Sequence, residues 1–226
     1  MSPTKKTLLS PAAATIPRRA AKATRSIAVV ETSRGRVSRE RICTVATQMF
    51  AEYGFAATSI RNIAAACAIS IPSIYHFFGD KDRLYAACRE TGFREAADRL
   101  SRALQSHEPG RQRILAFVVE LCDVLLNDRN FARLLQRGLL LEECGGVAEL
   151  TTQYLAEELA LLSAEIERLT GKSGAVGRTF SICALVLGLT LLRRIGEVDG
   201  SDPALAADPE RLARHALNTV LPKQRW

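Results

Sequence analysis

Between positions 37 and 78 the apolar residues fall into three short helical stripes separated by clear punctuation. Over 37–53, Ile42, Val45, Ala46, Met49, Phe50 and Tyr53 follow the i, i+3, i+4, i+7 spacing of an amphipathic helix. Ser38 is placed to cap its start, and Glu40 suits the positive end of its dipole. Gly54 stands just past the last turn, where a residue that accepts positive φ is common, and Phe55 is expected to fold back on the helix. A second stripe follows in Ile60, Ile63, Ala64 and Cys67, with Thr58 at the position of an N-cap. Ala68-Ile69-Ser70 turns the chain. Ser70 then caps a third helix, whose first turn tolerates Pro72 because the N–H groups there have no partner within the helix. Ile74, Phe77 and Phe78 are expected to face inward, leaving Ile71, Pro72, Ser73, Tyr75 and His76 on the outer or leading side. That outer set is small, hydroxyl-bearing or aromatic, and a short helix carrying it suits the major groove of DNA.

Beyond Gly79 the stripes lengthen. Asp80 can cap a helix over 81–106 whose buried side holds Leu84, Tyr85, Cys88, Leu100 and Leu104. Pro109-Gly110 ends it. Further helices are expected over 112–126, 131–142, 147–169 and 175–197, broken at Asn127-Asp128, Gly145-Gly146 and the 171–174 loop. The first of these, over 112–126, turns Ile114, Phe117, Val118, Leu121, Val124 and Leu125 inward. Asp208-Pro209-Glu210 is an N-cap, N1, N2 start for a last helix reaching 221. No strand pattern or internal repeat is visible, so the expected fold is all-α. The 180–192 stretch is apolar on all sides, which fits a helix that is both core and interface, or else a purely intramolecular central helix.

Ile63, Ala64, Cys67, Ala68, Ile69, Ser70, Ser73, Ile74, Tyr75, Phe77, Phe78, Lys81 and Leu84 stand in register with the motif of the tetracycline-repressor (TetR/AcrR) transcriptional regulators. The chain resembles that family over 36–95. It departs at the turn, where Cys67-Ala68 replaces the family's Ala-Gly, and a position needing positive φ would strain Ala68.

The resemblance implies an N-terminal three-helix helix-turn-helix DNA-binding domain over 36–96, with reader helices at 59–78. A larger C-terminal helical ligand-binding and dimerisation domain would fill 97–226. It further implies a homodimer whose last two long helices form a four-helix bundle, a double-stranded palindromic operator, and repression until a small-molecule effector fills a pocket. Two readers related by a twofold axis would meet half-sites about one helical turn apart.

Candidate DNA-binding residues are Thr58, Ser59, Arg61, Ser70, Ile71, Pro72, Ser73, Tyr75, His76 and Lys81. Arg61 is either a base or phosphate contact or a solvated surface arginine. Ser59 and Ser70 either grip a phosphate or act as caps alone. Tyr75 can pack as core, but the resemblance sets its hydroxyl on a phosphate. His76 is a groove contact or solvated. The resemblance sets Lys81 on the DNA backbone, and otherwise it is a surface charge. Candidate pocket residues are Phe117, Leu121, Phe131, Leu135 and Phe180, each either lining or ordinary core, with an apolar ligand expected.

Charge changes this picture at one end. The net formal charge of the 226-residue chain is +7. The first 36 residues hold Lys5, Lys6, Arg18, Arg19, Lys22, Arg25, Arg34 and Arg36 against Glu31 alone, so they carry the whole excess. Residues 1–35 are expected to be a disordered basic tail: a solvated leader, an arm adding non-specific phosphate contacts, or a targeting peptide or misplaced start.

The six cysteines, Cys43, Cys67, Cys88, Cys122, Cys144 and Cys183, include no CxxC pair, so no zinc site is legible and no cofactor is expected. Histidines 76, 107 and 215 are scattered, and no nucleophile–base pair, P-loop or paired-carboxylate site can be assembled, which argues against an enzyme. No apolar run of about 18 residues or secretory leader is visible, so a cytoplasmic protein without a membrane span is expected. Two rivals stay open. One is a redox-sensing regulator using Cys144, beside Glu143 and Gly145-Gly146; the other is a helical docking protein or enzyme that keeps the three-helix module as structure.

Overall fold

The computed structural model describes residues 39–140, 146–171, 173–192, 208–221, 224 and 226. All regular structure among the described residues is α-helical: α1 (Arg39–Ala57), α2 (Ile60–Cys67), α3 (Ile71–Phe78), α4 (Lys81–Gln105), α5 (Arg111–Asn127), α6 (Arg129–Leu140), α7 (Val147–Thr170), α8 (Ala175–Leu192) and α9 (Pro209–Val220). These agree with the sequence expectations to within about two residues, and the helix breaks at Gly54 as expected, at φ 81° and ψ 170°, before a short helical turn to Ala57. The Ser38 cap, the ends expected at 142 and 197, Cys144 and the basic tail lie outside the described residues.

Two apolar interiors organise the unit that spans Val37–Trp226. The first gathers Ile42, Ala46, Met49 and Phe50 of α1, Ile60, Ile63 and Cys67 of α2, Ile74 and Phe78 of α3, and Leu84, Tyr85 and Cys88 of α4. Short helices α2 and α3 cannot each enclose a core, so they are stable only against α1 and α4. Tyr85 is fully buried at the centre, with ring centroids 4.9 Å from Phe50 and 5.1 Å from Phe55. Phe55 thus folds back as its position after Gly54 suggested. The second interior begins at Phe93 on α4 and is built from α5 to α9, with Ile114, Phe117, Val118, Leu162, Ile166, Ile182 and Leu217 fully buried.

One helix runs through both. α4 contributes Leu84 to Cys88 to the first interior and Phe93 to Leu104 to the second, with no break between. Leu134 of α6 reaches back into the first, and Arg133 of α6 is ion-paired with Glu52 of α1. Two close approaches on α6 hold it in place. A Cβ at Gly54 would lie 2.5 Å from the Arg137 guanidinium, and one at Gly92 on α4 would lie 2.9 Å from the Phe131 ring.

α8 is buried only along Ala175, Thr179, Ile182, Val186 and Thr190. Its opposite side exposes Val176 and Phe180, each 74% accessible, and Leu161 of α7 is 56% accessible. No single described helix is long and apolar enough to cross a membrane.

Candidate nucleic-acid interface

The geometry of α2 and α3 is set by side-chain caps and one tight turn. Ser59 Oγ accepts the Asn62 N–H at 3.1 Å and so caps α2. The cap is Ser59, not Thr58. Thr58 is 1% exposed, and its hydroxyl is taken up by the Gly54 carbonyl at 2.8 Å and the Met49 carbonyl at 3.2 Å. This corrects its place among the DNA-facing candidates: Thr58 closes the end of α1 from inside.

α2 ends in a Schellman turn. The Ala68 N–H donates to Ala65 O at 3.2 Å and the Ile69 N–H to Ala64 O at 3.0 Å, with Ala68 in the left-handed region at φ 54°, ψ 43°. Ala68 is the one non-glycine residue with positive φ among the described residues. The strain anticipated for the missing glycine is therefore present.

Ser70 then caps α3, accepting the Ser73 N–H at 3.3 Å, with the two hydroxyls 2.8 Å apart. Asp80 caps α4 through the Arg83 N–H at 2.7 Å.

Above this frame α3 buries Ile74 and Phe78 and exposes Pro72, Tyr75 and His76, while Ile71 and Ser73 are half-buried. Phe77 does not face inward as its pattern suggested. It is 40% exposed, lies edge-on to His76 at 5.7 Å, and the inner side of this two-turn helix is filled by Ile74 and Phe78. Arg61, Ser59 and Ser70 are exposed on the same part of the molecule. Lys81 is half-buried, with its ammonium 4.2 Å from the centre of the Phe55 ring. That cation–π contact anchors its stem beside α3.

The five candidate pocket residues do not converge. Phe117 is fully buried, Leu121 is half-buried against the same interior, and Phe180 is exposed on the far side of α8. The exposure of Phe180 overturns its placement in a pocket. Only Phe131 and Leu135 line the large cleft that does exist, about 650 Å³ between α1, α4 and α6. Phe93, Phe131 and Leu134 form part of its wall, and Arg39, Glu40, Arg94, Glu95 and Asp128 supply charge. Sequence reading missed this cleft because its walls come from three helices with no common local motif. Among the described residues no group of three His, Cys, Asp or Glu side chains could hold a metal.

A two-helix reader with capped starts, packed on a supporting helix and joined by α4 to a larger helical body, defines a helix-turn-helix protein. Residues 42–88, the part of the chain that carries the reader helices, match the family "Bacterial regulatory proteins, tetR family". Over 111 residues the chain is 31% identical to the HTH-type transcriptional dual regulator CecR of Shigella flexneri, covering 46% of this chain and 47% of that protein. The match thus spans about half the length of that relative. A transcriptional regulator from Rhodococcus sp. Rha1 shares 26% identity and superposes with a TM-score of 0.62, over 83% of this chain and 95% of that one. AibR, solved in complex with isovaleryl coenzyme A and operator DNA, superposes at 0.60 with 18% identity, over 81% of this chain and 98% of its own.

Proposed function

We propose that this chain is a sequence-specific DNA-binding transcriptional regulator that acts as a homodimer. The observation that carries this reading is α3 itself. It is a capped two-turn helix with Ile74 and Phe78 buried beneath and Ser70, Pro72, Tyr75 and His76 presented outward. Its N-terminal turn offers backbone N–H groups and hydroxyls to a phosphate, and its outer side chains reach base edges. Arg61 and Lys81 flank it with positive charge, Arg61 for a base edge and Lys81 for the backbone. The Val176–Phe180–Leu161 surface is the dimer contact, since an apolar area of this kind on a soluble protein calls for a partner. DNA is released when a small molecule occupies the chain in a state that cannot bind the operator, and this ligand must prefer that state for any shift to occur. The α1–α4–α6 cleft is its site, and the mixed lining suits a ligand with an apolar part and a polar head.

Sequencing DNA fragments selected by the purified protein tests the reading: a palindrome with half-sites about one helical turn apart is expected. No enrichment and no shift of any duplex at low salt would sink it. On the selected site, Lys81→Ala should weaken all sequence variants alike and lower the salt slope by about one. Arg61→Ala should cost about 1–3 kcal/mol and relax one base position. Phe180→Glu should yield monomers in sedimentation, and an unaltered dimer would remove α8 from the contact.

A further inference from the structure

The cleft between α1, α4 and α6 contains a chemistry that DNA reading does not use. Two thiols 45 residues apart in sequence, Cys43 of α1 and Cys88 of α4, meet on its wall. The Cys88 thiol donates to the Cys43 carbonyl oxygen at 3.6 Å. The neighbouring Cys88 thiol, reinforced by Arg39, holds the Cys43 thiol below its ordinary range despite burial. The neighbouring Cys43 thiol, together with burial, pushes the Cys88 thiol up. The pair is therefore asymmetric: the more readily ionised sulfur is Cys43, 8% exposed, and the more deeply buried one is Cys88, 1% exposed. The thiolate is the reacting form of cysteine. No other described cysteine has this setting. Burial raises Cys67, Cys122 (to about 12) and Cys183 (to about 11), and none of them lines the cleft.

We infer that Cys43 and Cys88 are a peroxide-reactive dithiol, with Cys43 attacking an oxidant admitted through the cleft and Cys88 resolving it into a disulfide that pins α1 to α4. The Cys43 thiolate attacks one peroxide oxygen and the O–O bond breaks. The sulfur is oxidised by two electrons to a sulfenic acid, and hydroxide leaves, taking a proton to become water. The Cys88 thiol gives up its proton and attacks the Cys43 sulfur, and the sulfenic oxygen leaves as a second water. In sum, two thiols and one hydrogen peroxide give one disulfide and two waters. The bond would join the helix that supports the reader to the helix that links both interiors, and it does so whether or not the chain binds DNA.

The test treats the fully reduced, full-length protein with substoichiometric hydrogen peroxide, alkylates the remaining thiols and maps the peptides by mass spectrometry. A peptide pair joined through Cys43 and Cys88 is expected before any other cysteine is oxidised. It should disappear on adding dithiothreitol, and the oxidised protein should melt at a higher temperature than the reduced one. In Cys88→Ser, Cys43 should persist as a sulfenic acid and take up dimedone more than in the unaltered chain. Oxidation of Cys67, Cys122, Cys144 or Cys183 while Cys43 and Cys88 stay reduced overturns the inference. So does equal dimedone labelling of Cys43 in the two proteins. The peptide map of the unaltered chain decides the matter by itself if the serine variant fails to fold.

Discussion

The two interiors of this chain are built from the same kinds of residue but are specified in different ways. In the first, every helix after α1 starts on a side chain that bonds back into it: Ser59, Ser70 and Asp80. In the second, α6 and α9 have such bonds too, from Asp128 and Asp208, but the long helices α5 and α7 start on Gly110 and Gly146, which make no side-chain cap. Short helices need such bonds, because two turns cannot outweigh the nucleation cost and a slip of one residue would re-aim every outward side chain. Long helices such as α5 and α7 are held by apolar burial along several turns, and a frayed end costs them little. The difference fits the use each region is put to. A surface that meets DNA side chain by side chain needs its helix ends defined, and a larger helical body held by burial does not.

The largest test of this comparison removes a ring from the first interior alone. Phe50 is fully buried against Tyr85, so Phe50→Ala should cost about 3–5 kcal/mol in denaturant unfolding. Native-state hydrogen exchange should then show protection lost across α1 to α3 while α5 and α9 keep theirs. Uniform loss across all helices would mean that α4 welds the interiors into one cooperative unit and that they are not separately specified.

The contrast also explains what could be read in the sequence. Helix ends marked by a capping side chain or by glycine (Ser70, Asp80, Gly171, Asp208) were legible because the chemistry that sets them is local. The two misreadings nearby came from choices that tertiary packing makes. Thr58 and Ser59 are both good caps by type, and only the enclosed hydroxyl of Thr58 distinguishes them. Phe77 and Phe78 are both good core residues, and only the room under α3 distinguishes those. Along the chain as a whole, the helices were visible but the cleft was not. Its lining residues, from Arg39 to Leu135, acquire a common surface only when α1, α4 and α6 pack. The same holds for the meeting of Cys43 and Cys88.

A smaller effect has the opposite sign. Ala68 holds a left-handed conformation that costs an L-residue about 1–2 kcal/mol, and its side chain is exposed, so nothing in packing offsets the strain. Ala68→Gly should therefore raise stability by about 1 kcal/mol, since the relief is partly cancelled by the greater freedom of glycine in the unfolded chain. An unchanged or lower denaturation midpoint would show that the turn relaxes around alanine without strain.

The finest discrimination sets two helix starts against each other. Ser70→Ala removes the acceptor for the Ser73 N–H and should cost about 1 kcal/mol. Gly146→Ala changes a start that makes no side-chain bond. Gly146 has φ −73°, which any residue adopts, and its nearest new neighbour is 3.8 Å away, so a shift within about 0.5 kcal/mol is expected. The two should also part in DNA binding. Ser70→Ala loosens the first turn of α3 and weakens the selected site, and Gly146→Ala leaves it unchanged because α7 stands outside the reader. If both variants lose stability alike, side-chain capping is not what separates the two regions. The defined ends of α2 and α3 would then have to come from burial of Ile63 and Ile74 alone.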